Sequence, residues 1–148
     1  MDSSDDVLIA ARKAKFDQLR QELKPALVDF VERLGISPAD AVLKDAEAYV
    51  PYLAAATRDL TSDDDEDRIW FLTRIGYFIG EYLCQALQGC WYVEDQAGSM
   101  YFARYVVGRF ASATKLGAVD PFDLARGYVD AAPPRNLVRL LAELTAPV

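Results

Sequence analysis

The chain has 148 residues, 52% of them apolar and 26% charged, the balance of one globular domain (1–148) large enough to fold without a metal or disulfide staple. It contains no histidine, which excludes Ser-His-Asp and Cys-His catalysis and removes the commonest zinc ligand. No stretch approaches the roughly 18 apolar residues of a membrane span, and the acidic start "MDSSDD" lacks the basic and apolar regions of a signal peptide, so a cytoplasmic protein without membrane attachment is expected.

The net charge of −7 is unevenly placed. Residues 1–68 hold 9 Lys/Arg against 16 Asp/Glu, whereas residues 69–148 hold 7 of each and 13 of the 17 aromatic residues. The chain thus divides into an acidic helical half and a neutral aromatic half. An acidic surface repels phosphate, which argues against nucleic acid as a partner, and it attracts a basic protein.

Phe16, Leu19, Leu23, Ala26, Phe30 and Leu34 recur at three- and four-residue steps and predict a helix, with a kink or break at Pro25 and an end at Gly35. "SPAD" predicts a second helix from about Pro38 to Thr57, capped by Ser37, with Asp40 in its first turn and a kink at Pro51. The acids of "TSDDDED" lack the alternating ligands and glycine turn of a calcium loop. They read instead as the first turn of a third helix beginning near Asp63, capped by Ser62 and set against the positive end of the helix dipole.

That helix is apolar nearly all round, through Trp70, Phe71, Ile75, Phe78, Ile79, Tyr82, Leu83 and Leu87, as expected of a central element ended by Gly89. Gly76 and Gly80, one turn apart, predict a groove where another backbone approaches closely. "CWYVED" and "MYFARYVVGRF" then alternate with period two and predict a hairpin across Gln96–Ser99. Tyr92, Glu94, Phe102 and Arg104 are assigned to its wetter face, and "ASATKLGAV" adds a short third strand or a loop. Asp120-Pro121-Phe122-Asp123 opens a helix to about Ala131, Pro133-Pro134 breaks it, and Leu137, Leu140, Leu141 and Leu144 line a last helix. The expected fold is α+β and mostly helical: three main helices, a small antiparallel sheet and two shorter C-terminal helices.

Glu81 is the best single candidate for chemistry, because a carboxylate among apolar residues has a raised pKa and can act as an acid or base in a ligand pocket. Its plainer reading is an ion pair with Arg74, two turns back, or exposure at the helix edge; catalysis needs a second group and none is signalled. Cys84 and Cys90 lack the two-residue gap of zinc and thiol-redox motifs and read as small buried residues. No catalytic residue, metal or cofactor is expected. Tyr92 and Phe102 with Arg104 have the composition of a protein-binding hot spot, with a covering helix as the plainer alternative.

At "IGYFIGEYLCQALQGCWYVED" followed by "VDPFDLARGYV", residues 70–145 resemble small uncharacterised bacterial domains. In these a helix carrying Gly-Glu leads through a glycine into a Trp-containing strand, and a Pro-Phe helix start follows. The resemblance implies an immunity-type protein paired with a toxin and carries no activity or catalytic residue. The expectation is therefore a non-enzymatic protein that occludes the active site of a basic, toxin-like partner. Asp63, Asp64, Asp65 and Glu66 would steer that partner, and Tyr92, Glu94, Phe102 and Arg104 would contact it. A small-molecule or histidine-free catalytic role for Glu81 is the alternative, with a homodimer through the sheet edge or the Gly76/Gly80 helix as a third.

Overall fold

The computed structural model describes residues 3–112 and 114–146. It has the expected mostly helical α+β architecture, in the order α1 (Ser3–Arg33), a short 3₁₀ helix (Asp40–Leu43), α2 (Ala46–Thr57), α3 (Asp65–Leu87), β1 (Cys90–Val93), β2 (Tyr105–Gly108), α4 (Pro121–Asp130) and α5 (Leu137–Leu144). The opening Met1 and Asp2 lie outside the described residues.

α1 starts well before Phe16 and runs through Pro25 without a break. Asp5 and Asp6 meet the positive end of its dipole. Proline deprives the Gln21 carbonyl of its intrahelical donor, but Gln21 is exposed, and Leu23 and Leu27 on either side are held in the core. Gly35, at φ +79°, ends the helix in a Schellman motif: its N–H donates to Glu32 O (2.9 Å) and that of Ile36 to Val31 O (3.2 Å).

The second helix is later and shorter than "SPAD" predicts. Asp45, not Ser37, caps α2, accepting from Ala48 N–H. Gln85 of α3 holds the break open, accepting from Ala46 N–H (2.7 Å) and donating to Val42 O (3.1 Å). Pro51 lies inside α2 and does not end it. The third helix is likewise capped by Asp64 rather than Ser62: Asp64 accepts from Asp67 N–H at 2.8 Å, so α3 begins at Asp65.

α3 is the central element, in contact with α1, α2, α4 and both strands. Ile75, Phe78, Ile79 and Leu83 are fully buried along it, each contributing about 1.5–3 kcal/mol by burial. Its glycines receive rings rather than a backbone. A β-carbon on Gly76 would lie 2.6 Å from Phe122, and one on Gly80 only 1.9 Å from the Trp91 indole. The expected groove is therefore filled from within the chain. The helix ends at Gln88, which takes the left-handed conformation (φ 56°) assigned to Gly89 by the sequence. Gly89 is needed for space, because a side chain there would strike the Phe110 ring and Gly108 O.

β1 and β2 pair antiparallel, Cys90 with Gly108 through Val93 with Tyr105. Two further bonds, Glu94 N–H to Arg104 O and Ala103 N–H to Glu94 O, extend the ladder briefly. Phe102 therefore lies in the connection between the strands, longer than the expected Gln96–Ser99 loop, and not in a strand. "ASATKLGAV", expected to add a short third strand or a loop, is a loop that makes a single bridge, Val119 with Val107; Ala113 lies outside the described residues. Asp120 caps α4 by accepting from Phe122 and Asp123 N–H, with Pro121 in the first turn, as its sequence predicts.

Candidate functional site

Two regions each gather several charged side chains that have no ion pair among the described residues. The first is the turn entering α3, where every residue from Thr61 to Asp67 is exposed. Asp64 is occupied as the cap, whereas Asp63, Asp65, Glu66 and Asp67 have no ion pair among the described residues. Arg68, the nearest cation in sequence, is forked onto Asp130 of α4 by two bonds of 2.7 Å, which pulls the Asp130 carboxyl below its usual range. Ile69 (57% exposed) and Trp70 (36%) follow directly. Trp70 is held edge-on by Phe30 (5.6 Å) and covered by the Arg74 guanidinium (4.8 Å). Arg74 is thus committed to Trp70 and makes no ion pair with Glu81.

The second region is a cleft of about 720 Å³ between α1 and the α3–β1 corner. Asp17, Arg20, Gln21 and Lys24, at spacings of three and four, form the α1 wall with Leu23 at its base. Glu81, Cys84, Cys90 and Trp91 form the other. Trp91 is positioned by Gly80 beneath it and Phe122 beside it (5.7 Å). Burial raises the Glu81 pKa, opposed by the positive charge of Lys24 and by the nearby Trp91 indole. That indole N–H does not reach hydrogen-bonding geometry and has no partner.

Burial, with the Glu81 charge adding to it, pushes the Cys84 thiol up to about 12, so it is not a nucleophile at neutral pH. Neither cysteine is fully buried, contrary to the sequence reading: Cys84 is half-buried and Cys90 exposed. Among the described residues no three His, Cys, Asp or Glu side chains come together as metal ligands.

The aromatic residues assigned to a wet sheet face do not share one. Tyr92 lies under the Arg109 guanidinium (3.8 Å), and Glu94 accepts from Gln96 N–H. Phe102 packs instead with Phe16 and Tyr105 against Ile9, Val93 and Ala103, a small second core joining α1 to the hairpin. A turn conformation at Ala103 (φ 64°) breaks the alternation on which the sequence assignment rested. Arg104 binds Asp120 (3.3 Å) and Asp123 (2.6 Å), and Asp123 also accepts from Arg126 (2.5 Å).

Sequence reasoning missed the α1 wall of the cleft. Its residues form a polar stripe beside the apolar one, a pattern shared by ordinary solvated helix faces. It also missed Arg135, only 9% exposed, which donates to Thr57 O (3.1 Å), Leu60 O (2.6 Å) and Val129 O (3.0 Å). The Phe71 and Tyr128 rings lie within 6 Å of this guanidinium (5.7 and 5.9 Å). No helix of the described residues is long and apolar enough to cross a membrane. Compared with known proteins, the chain matches no family model, no curated protein and no solved structure.

Proposed function

We propose that this chain is a non-enzymatic protein-binding protein of the immunity type, which occludes a basic, toxin-like partner through the turn entering α3. The observation that carries the reading is the run of exposed acids, Asp63 to Asp67, without ion pairs among the described residues and leading directly into exposed Ile69 and Trp70. Acids there attract a cationic surface from a distance and raise association rates by about 10–10³-fold, an effect that fades with salt. A tryptophan already immobilised by Phe30 and Arg74 supplies a central contact at low entropic cost. Tyr92, Phe102 and Arg104 are occupied within the chain and have a smaller part in this account than their composition suggests.

The test is capture from a lysate of the source cells at low and moderate salt, with wild type and with the Asp63→Asn/Asp65→Asn/Glu66→Gln variant. The proposal expects one stoichiometric basic protein, retained by wild type and lost with the variant. Expressed alone, that protein should arrest growth, and coexpression of wild type should relieve the arrest. Equal retention by both chains would refute the electrostatic reading, and a captured protein without toxicity would refute the immunity reading.

A further inference from the structure

The cleft between α1 and the α3–β1 corner lies apart from the acidic turn and holds four charged side chains, two of each sign. Asp17 stands beside Arg20 and Lys24 on α1 and Glu81 faces them from α3, yet none of the four forms an ion pair among the described residues, the Arg20 guanidinium lying over the Phe16 ring (5.8 Å). Several opposite charges elsewhere close on one another, as Arg68 does on Asp130 and Arg104 on Asp123. Here α1 stands off from the corner and leaves a space of about 720 Å³, within the usual range of small-ligand pockets. Its lining is balanced in formal charge. A simple anion meets Asp17 and Glu81, and a simple cation meets Arg20 and Lys24. A molecule carrying both charges satisfies each pair, and Leu23 and the Trp91 ring offer apolar surface to the rest of it.

We propose that this cleft binds a small zwitterion with an apolar side chain, an α-amino acid or a dipeptide, its ammonium on Glu81 and its carboxylate on Lys24 and Arg20. The ammonium supplies Glu81 with the counter-charge that Lys24 does not bring within ion-pair distance. The inference goes beyond the protein-binding role and does not depend on it.

The experiment is thermal unfolding of the full chain with leucine, phenylalanine, Leu-Leu and Phe-Phe, each up to about 10 mM, beside 4-methylpentanoate and isoamylamine, which carry leucine's charges singly. A saturable rise in Tm with the zwitterions and none with the single-charge analogues is expected. Free amino acids acting alone would assign the site to them, and dipeptides acting alone to peptide ends. Titration calorimetry should then show affinity weakened about tenfold or more by Glu81→Gln and by the exposed substitution Lys24→Met. The Lys24→Met chain keeps the test intact if Glu81→Gln fails to fold. Absence of any shift with the zwitterions, equal shifts with the single-charge analogues, or unaltered affinity in the folded variants would overturn the proposal.

Discussion

Arg135 and the acidic turn entering α3 treat charge in opposite ways. Arg135 is a buried cation with no ion pair among the described residues, the Asp130 carboxylate feeling its charge only at a distance, yet three backbone carbonyls accept from it, from the end of α2, the turn beyond it and the end of α4, with two aromatic rings beside it. Those carbonyls lie at or near the negative ends of helix dipoles, where a cation is favoured. The acids Asp63 to Asp67 are exposed and crowded, with no ion pair among the described residues. Charge matched within the chain builds the fold; the unpaired acids of the turn take no part in it and are the surface that the proposed partner would meet. Glu81 stands between the two, half-buried and opposed only at a distance by Lys24.

The strongest way to break this comparison is at Arg135. Replacing it by Met keeps much of its volume but leaves the Thr57, Leu60 and Val129 carbonyls without this donor. The three lost charge-assisted bonds, with Thr57 O keeping only the Leu60 N–H at 3.4 Å, should cost about 3–5 kcal/mol together, read as a lower urea midpoint. Arg135→Lys, with one compact ammonium for a planar fork, should recover only part of it.

The next effect concerns the wall that holds the cleft. Gly80→Ala places a methyl inside the Trp91 indole and should cost about 1–3 kcal/mol through displacement of that ring. Gly127→Ala, in α4 with nothing within 4 Å of the added carbon, should stabilise by up to about 1 kcal/mol. Calorimetric unfolding of the two chains should therefore move Tm in opposite directions; a Tm for Gly80→Ala that does not fall would contradict the packing described for Gly80.

Glu81 gives a smaller, pH-dependent effect. Its folded pKa lies above its ordinary value of 4.5, so the folded chain holds that proton more tightly than the unfolded chain. The associated stability is complete below about 4.5 and is lost as pH rises through the raised folded value. Glu81→Gln stays uncharged and should exceed wild type in stability at neutral pH, with the advantage closing as pH falls towards 4. A constant difference across that range, read by urea unfolding, would contradict the burial of this carboxylate.

These contrasts also mark what the sequence could convey. The helical periods of α1 and α3, the Asp120-Pro121 start and the leucines of α5 are local signals, and each marks a helix of the structure, although α1 begins at Ser3, thirteen residues before the Phe16 of its pattern, and passes through Pro25. Displaced boundaries have non-local causes. Gln85 reaches from α3 to fix the start of α2, a contact between residues 39 apart. Asp64 and Ser62 are both good caps, and only the geometry of the turn chooses between them. Alternation put Phe102 on the face of Tyr92, and the turn over residues 100–103, ending at the positive φ of Ala103, places it elsewhere. Glu81 stood out because a carboxylate is rare in such an apolar helix. The α1 residues opposite it did not, because nothing local distinguishes a cleft wall from a wet surface.

The smallest expected effect on the fold is also the most direct test of function. In Asp63→Asn/Asp65→Asn/Glu66→Gln, weakened helix-dipole contacts of about 0.3–1 kcal/mol per first-turn acid are offset by relief of repulsion among neighbouring acids. Asp64 remains to cap the helix. Titration of the captured partner onto both chains at low salt decides the matter. The account predicts about tenfold or greater weakening with a nearly unchanged urea midpoint, and a difference that shrinks as salt is added. Equal affinity for the two folded chains would contradict it.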